Sequence, residues 1–179
     1  MVGETIMTLL FRQTLWLLVP LLLSGCDFSR TTASCYEHIP AGDTGRYVIK
    51  GSGIVLDPDT GIEWYRCAFG QRHVPQGCSG DALFVTYDEV DSMLAEISAK
   101  AGQKWRLPTE SEFQALKEPK CVLPAMNTNA FPNPLIDNFW VVGEDGRSDK
   151  ACVVYTYNGA RSCRLLGDTP RPFYMVKDT

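Results

Sequence analysis

Histidine is almost missing from the 179 residues, with only His38 and His73 present, and no two cysteines stand in Cys-x-x-Cys spacing. A zinc site is therefore not expected. Basic residues are not in excess: 17 Lys and Arg face 21 Asp and Glu, for a formal net charge of -4. A phosphate backbone needs a cationic patch that this chain does not offer, so nucleic acid is excluded as a partner. No Gly-x-Ser-x-Gly elbow, His-Glu-x-x-His, P-loop or dinucleotide fingerprint occurs, which leaves nucleophile, zinc and nucleotide chemistry without an anchor. The acidic pairs Asp57 with Asp59 and Glu144 with Asp145 sit in turns marked by Gly or Pro, where aspartate is favoured for its side-chain-to-backbone hydrogen bonds. No catalytic residue, metal or cofactor is assigned, and the chain reads as non-enzymatic. A long apolar run is absent too, because Leu15–Leu23 falls short of the roughly 20 residues a membrane span needs.

That short run has another use. Arg12 and the free amine form a positive n-region, Leu15–Leu23 is the h-region, and Leu23-Ser24-Gly25-Cys26 is a bacterial lipoprotein processing site. Cleavage would leave Cys26 as the first mature residue, its thiol carrying a diacylglycerol and its amine acylated. Each buried methylene then contributes about 0.8 kcal/mol to holding the chain on a bilayer. The expected address is the cell envelope, lipid-anchored and extracytoplasmic, on the inner membrane facing the periplasm or on the outer membrane. Asp27 follows directly and leans toward inner-membrane retention in enteric-type bacteria. The chain divides into a signal peptide (1–25), the lipidated cysteine with a polar tether (26–45) and one domain (46–179), a length that suits a single core.

With Cys26 committed to lipid, six cysteines remain, an even number that in an exported chain argues for three disulfides. Fifteen pairings are possible for six cysteines. The preferred set is Cys67 with Cys78 and Cys152 with Cys163, each closing a short loop flanked by strand-like sequence, and Cys35 with Cys121, tying the amino-terminal tail to a long loop.

Residues 46–50, 53–56 and 62–66 read as strands around the turn Asp57–Gly61, and 67–80 as a loop stapled by its own cysteines. Thr86 and Glu89 have capping-box spacing ahead of a helix with Val90, Met93, Leu94, Ile97 and Ala101 on one side and Gly102 as its stop. A second capping box, Thr109 with Glu112, opens a shorter helix. Residues 119–138, crowded with Pro and Asn, read as a long irregular loop, the kind of segment that carries binding function. Strands follow at 139–142, 151–157, 161–166 and 172–176, with Asn158-Gly159 as a hairpin turn. Strands, then helices, then strands make an α+β fold built on a small, mainly antiparallel sheet.

The segment Trp105-Arg106-Leu107-Pro108-Thr109-Glu110-Ser111-Glu112-Phe113 resembles the signature of the Lcl carboxy-terminal domain family, DUF1566. Asp59–Trp64, Pro124–Asn133 and Phe139-Trp140 add to the likeness, which covers most of residues 46–176. The resemblance implies a C-type-lectin-like and formylglycine-generating-enzyme-like frame topped by long loops, and a surface adhesin module that binds glycans. Trp105 and Leu107 are expected in the core, and Arg106, on the alternate face, either pairs with a carboxylate or meets a ligand. Trp64 and Trp140 are either core residues of a small sheet or sugar-stacking platforms. Trp64, Arg106, Asn133 and Trp140 thus form the candidate ligand set. The expected function is a membrane-anchored module recognising a cell-envelope or surface polysaccharide; the alternative is a structural, protein-binding part of an envelope assembly.

Overall fold

The computed structural model describes residues 32–144, 151–164 and 168–178. The signal segment, Cys26, Asp27, Asp145 and the end of the strand expected at 161–166 lie outside the described residues. In chain order the elements are α1 (Cys35–His38), β1 (Val48–Ile49), β2 (Ile54–Asp57), β3 (Ile62–Tyr65), β4 (Arg72–Val74), β5 (Gly77–Ser79) and α2 (Tyr87–Ala101). These are followed by β6 (Trp105–Arg106), α3 (Glu110–Gln114), β7 (Asn138–Val141), β8 (Ala151–Tyr155), β9 (Ala160–Arg164) and β10 (Val176–Lys177). No helix among the described residues is long and apolar enough to cross a membrane.

The fold is α+β with antiparallel sheets, as the element order implies. β1, β2 and β3 form a meander, and β10 inserts between β3 and the distant β6, giving the order β1-β2-β3-β10-β6. Asp57 closes the turn between β2 and β3 from a fully buried position. It accepts a fork from Arg46, with Nε to Oδ1 and Nη2 to Oδ2 both at 2.9 Å, and its Oδ1 also accepts from the Asp59 N–H at 3.1 Å. A buried carboxylate is tolerated only with such partners. β7, β8 and β9 form a second sheet, with β8 paired to β9 through the turn at Asn158-Gly159. The stapled loop 67–80 contains a small hairpin, β4 with β5, that was not expected. Strands of three residues are too short to show an alternation of their own.

Both capping boxes form. The Thr86 N–H donates to Glu89 Oε2 at 2.8 Å at the start of α2, and Gly102 ends that helix at φ 61°, a left-handed turn that glycine adopts without strain. At α3 the Thr109 N–H donates to Glu112 Oε2 at 2.7 Å while Thr109 Oγ1 accepts from the Glu112 N–H at 3.3 Å. Each helix then covers one apolar surface. Val55, Trp64, Phe113, Phe131, Phe139 and Tyr174 meet in one cluster, on the face of the five-stranded sheet that looks toward α3 and the second sheet. Val90, Leu94, Leu107, Trp140, Phe173 and Met175 form another beneath α2.

The irregular loop is largely interior. Cys121, Ala125, Met126, Asn127, Ala130 and Phe131 are all buried, and Asn127 Oδ1 accepts from the Asn129 and Ala130 N–H groups at 3.0 and 2.9 Å. The loop also holds the amino-terminal segment in place, since Asn129 Nδ2 donates to the Pro40 and Asp43 carbonyls at 2.9 and 3.0 Å. Three disulfides close the fold: Cys35–Cys121, Cys67–Cys78 and Cys152–Cys163.

The bridges differ in what they constrain. Cys35–Cys121 spans 86 residues and the other two span 11 each. Loop-closure entropy assigns the long bridge about 4.5 kcal/mol and each short one about 2.7 kcal/mol. Denaturant unfolding is expected to rank the double serine variant at Cys35 and Cys121 below that at Cys67 and Cys78; equal losses would contradict this ranking.

Candidate functional site

On the second face of the five-stranded sheet the alternation that buries Trp64 and Val176 turns Tyr65, Met175 and Lys177 the other way, beside Ile54 and Trp105. α2 covers this face only in part. Where its last turn, with Ile97 and Ala101, ends short of the loop 69–72, a groove of about 580 Å³ remains. Its apolar floor is Tyr65, Phe69, Trp105 and Met175, and its rim carries Gln71, Arg72, Gln103 and Lys177.

The aromatic lining is fixed. Tyr65 and Trp105 meet edge to face at 6.2 Å, and the Tyr65 hydroxyl accepts from the His73 N–H at 2.9 Å. Phe69 stacks on Phe173 at 4.5 Å. Gln71 is held from both ends, its Oε1 accepting from the Ala68 N–H at 3.2 Å and its Nε2 donating to Gly80 O at 3.3 Å. Of the cations, Lys177 is engaged: it shares Glu63 with Lys50, and their hydrogen bonds hold the Glu63 carboxyl below the usual range. Arg72 makes no ion pair among the described residues and stands exposed on the lip. The result is a preformed apolar trough with a few hydrogen-bonding groups and one free cation at its edge, the composition of a small-ligand or oligomer-binding cleft. A second groove of about 660 Å³ runs along the other flank of α2, past Leu94, Arg106 and Leu107. Its cations are already paired, Arg106 with Glu112 and Lys104 with Asp178.

The residues singled out from the sequence do not converge on either groove. Trp64 and Trp140 are each 1% exposed, so neither ring offers a stacking face and the platform reading is corrected to a core role. Trp64 packs edge to face against Phe113 and Phe131 at 6.1 and 6.0 Å. Trp140 donates its indole N–H to Val85 O at 2.8 Å and packs against Tyr87. Arg106 takes the structural option, forking to Glu112 through Nη1 and Nη2 at 2.8 Å each and facing Asp178 at 3.7 Å. Asn133 is exposed at φ 52° but lies by Pro132 over Gly77, not in the groove. Trp105, expected inside, is half-buried, because β6 is an edge strand and its side chain borders both grooves that flank α2. Tyr65, Phe69, Gln71, Arg72 and Gln103 carried no signal of their own beyond strand alternation and loop composition.

These features define a disulfide-stapled α+β domain with an aromatic cleft where a helix leaves part of a sheet face uncovered. The chain belongs to the Lcl C-terminal domain family, whose model matches residues 53–175, a membership that points to a surface or extracellular domain. No curated protein and no solved structure matches the chain.

Two substitutions separate frame from site. Trp64→Ala is expected to cost about 3 to 5 kcal/mol, the range for a large aromatic removed from a core, whereas Trp105→Ala leaves the urea midpoint much closer to the parent; the reverse order would overturn the assignment. Burial pulls the Glu112 carboxyl upward, but the Arg106 fork and the Thr109 N–H outweigh it and hold it below the ordinary value of 4.5. A depressed carboxyl stabilises the fold above its unfolded value and loses that contribution as pH falls through its folded value. Glu112→Gln is therefore expected to destabilise the protein at pH 7 by about 2 kcal/mol, the scale of charged hydrogen bonds, with a difference from the parent that shrinks in acid.

Proposed function

We propose that the protein is a lipid-anchored, extracytoplasmic binding module that recognises carbohydrate, an envelope or surface polysaccharide, through the groove of Tyr65, Phe69 and Trp105. The observation that carries this reading is the half-buried Trp105 beside Tyr65, set among Gln71, Arg72 and Gln103. Aromatic rings give a sugar's C–H faces an apolar platform, and amide and guanidinium groups at the rim meet its hydroxyls. The groove volume lies within the roughly 300 to 1,000 Å³ of typical ligand clefts. Family membership and the Leu23–Cys26 processing signal support the surface setting. One feature favours the alternative, a protein-binding part of an envelope assembly. Leu83 and Phe84 are both exposed, and Leu83 sits over Gly70 at the groove's end, where an apolar partner surface would find purchase.

The soluble chain from residue 27, made in an oxidising compartment, is to be titrated with peptidoglycan fragments and with acidic and neutral polysaccharides, read by tryptophan fluorescence and checked by calorimetry. Saturable binding is expected, weakened about tenfold, or 1.4 kcal/mol, by Trp105→Ala and unchanged by Asn133→Ala. No binding across the panel would overturn the carbohydrate reading. Binding lost instead in Leu83→Ser with Phe84→Ser to an envelope protein would establish the alternative.

A further inference from the structure

The proposed anchor restricts how the domain sits on its membrane. Thr32, the first described residue, is only six residues beyond Cys26. Fully extended, that stretch reaches about 20 Å, while a domain of roughly 150 residues has a radius of gyration of about 15 Å and a diameter of about 40 Å. The pole remote from Thr32 is therefore out of reach of the bilayer, and the surface around Thr32 is the one that meets it.

That surface is built by backbone pairing among three segments. The Val122 N–H donates to Ala33 O and the Cys35 N–H to Val122 O, both at 3.0 Å, Ser34 Oγ donates to Leu123 O at 2.8 Å, and the Leu123 N–H donates to Tyr157 O at 2.8 Å. Each segment turns a large apolar side chain outward: Tyr36 is 52% exposed, Leu123 45% and Tyr157 37%. Leu123 is displayed although its backbone sits at φ 56°, where leucine is rarely found. Tyr157 is braced by Tyr155, the rings stacked at 5.7 Å. Lys117, which packs over Gly159, and Lys120 are exposed nearby, while Glu37 and Glu118 offset their charge. A near-neutral patch of tyrosine and leucine is matched to the headgroup region of a bilayer, where an amphipathic ring keeps its hydroxyl wet and its body in the apolar boundary.

We propose that this face, centred on Tyr36, Leu123 and Tyr157, docks on the lipid surface and holds the anchored domain in one orientation. The proposal rests on acylation of Cys26. Tethering keeps the patch at high local concentration beside the bilayer, so three side chains suffice where they would not hold a free domain.

The test uses the full mature chain, produced with its own processing signal, labelled with fluorotyrosine and placed in phosphatidylethanolamine–phosphatidylglycerol nanodiscs containing doxyl-labelled phosphatidylcholine. Its fluorine resonances are assigned by single Tyr→Phe substitutions, and intact mass reports acylation independently. The Tyr36 and Tyr157 signals are expected to lose most of their intensity to the lipid radical while that of Tyr87, on α2, is retained. Leu123→Asp, at an exposed position, is expected to restore the Tyr157 signal. An acylated chain whose Tyr36 and Tyr157 respond no more than Tyr87 overturns the docking face while leaving the anchor intact. A mass without acyl chains overturns the anchor and the docking face with it.

Discussion

The stretch from Arg171 to Lys177 is the stitch on which the rest of the fold depends. Its carbonyls accept from three separate parts of the chain: Pro172 O from the Trp140 N–H at 3.0 Å, Phe173 O from the Phe69 N–H at 2.9 Å, and Met175 O from the Tyr65 N–H at 2.9 Å. Arg171 and Val85 exchange both of their backbone hydrogen bonds at 2.9 and 3.1 Å. Its side chains divide between the two cores, Tyr174 and Val176 into one, Phe173 and Met175 into the other. A buried backbone has to find its partners within the protein, and here those partners join both sheets and the start of α2. Among the described residues the five-stranded sheet and the β7-β8-β9 sheet share no strand.

A domain of this size buries a modest core, and the disulfides reinforce the segments that the cores hold least well. Cys35–Cys121 fastens the amino-terminal segment to the long loop, and the Asn127 and Asn129 side chains complete that junction. Cys67–Cys78 fixes the loop that ends at the groove, and with it Gln71 and Arg72. The cleft therefore rests on a sheet on one side and a covalently closed loop on the other, which preorganises its rings before any ligand arrives.

The groove and the proposed docking patch both arise from uneven coverage of the fold. One face of the five-stranded sheet is closed by α3, the loop and the second sheet; on the other, α2 packs together with Trp140, Ala151 and Val153 of the second sheet, and where the helix stops short the gap is the groove. The patch proposed to meet the membrane has a similar origin, in three segments whose backbones pair with one another and leave Tyr36, Leu123 and Tyr157 no interior to enter.

By itself the sequence determined the features that act over a few residues: the capping boxes at Thr86 and Thr109, the glycine stop at Gly102, the Asp57–Gly61 turn, the Asn158-Gly159 hairpin and the two short cysteine loops. Each is set by local hydrogen bonding or backbone sterics, and each survives folding because nothing distant competes with it. Tertiary structure alone decided which tryptophan meets solvent. Strand alternation separates Trp64 from Tyr65 but does not say which face lies open, because both faces of the sheet are covered and exposure depends on where α2 ends. In the same way the Pro- and Asn-rich loop reads as surface, yet Asn127 satisfies its backbone and Phe131 fills the core, a result of packing between residues far apart in the chain. Trp105, on an edge strand beside an incomplete helical layer, is half-buried for that reason, and the groove it floors exists only once α2, β6 and the loop 69–72 are assembled.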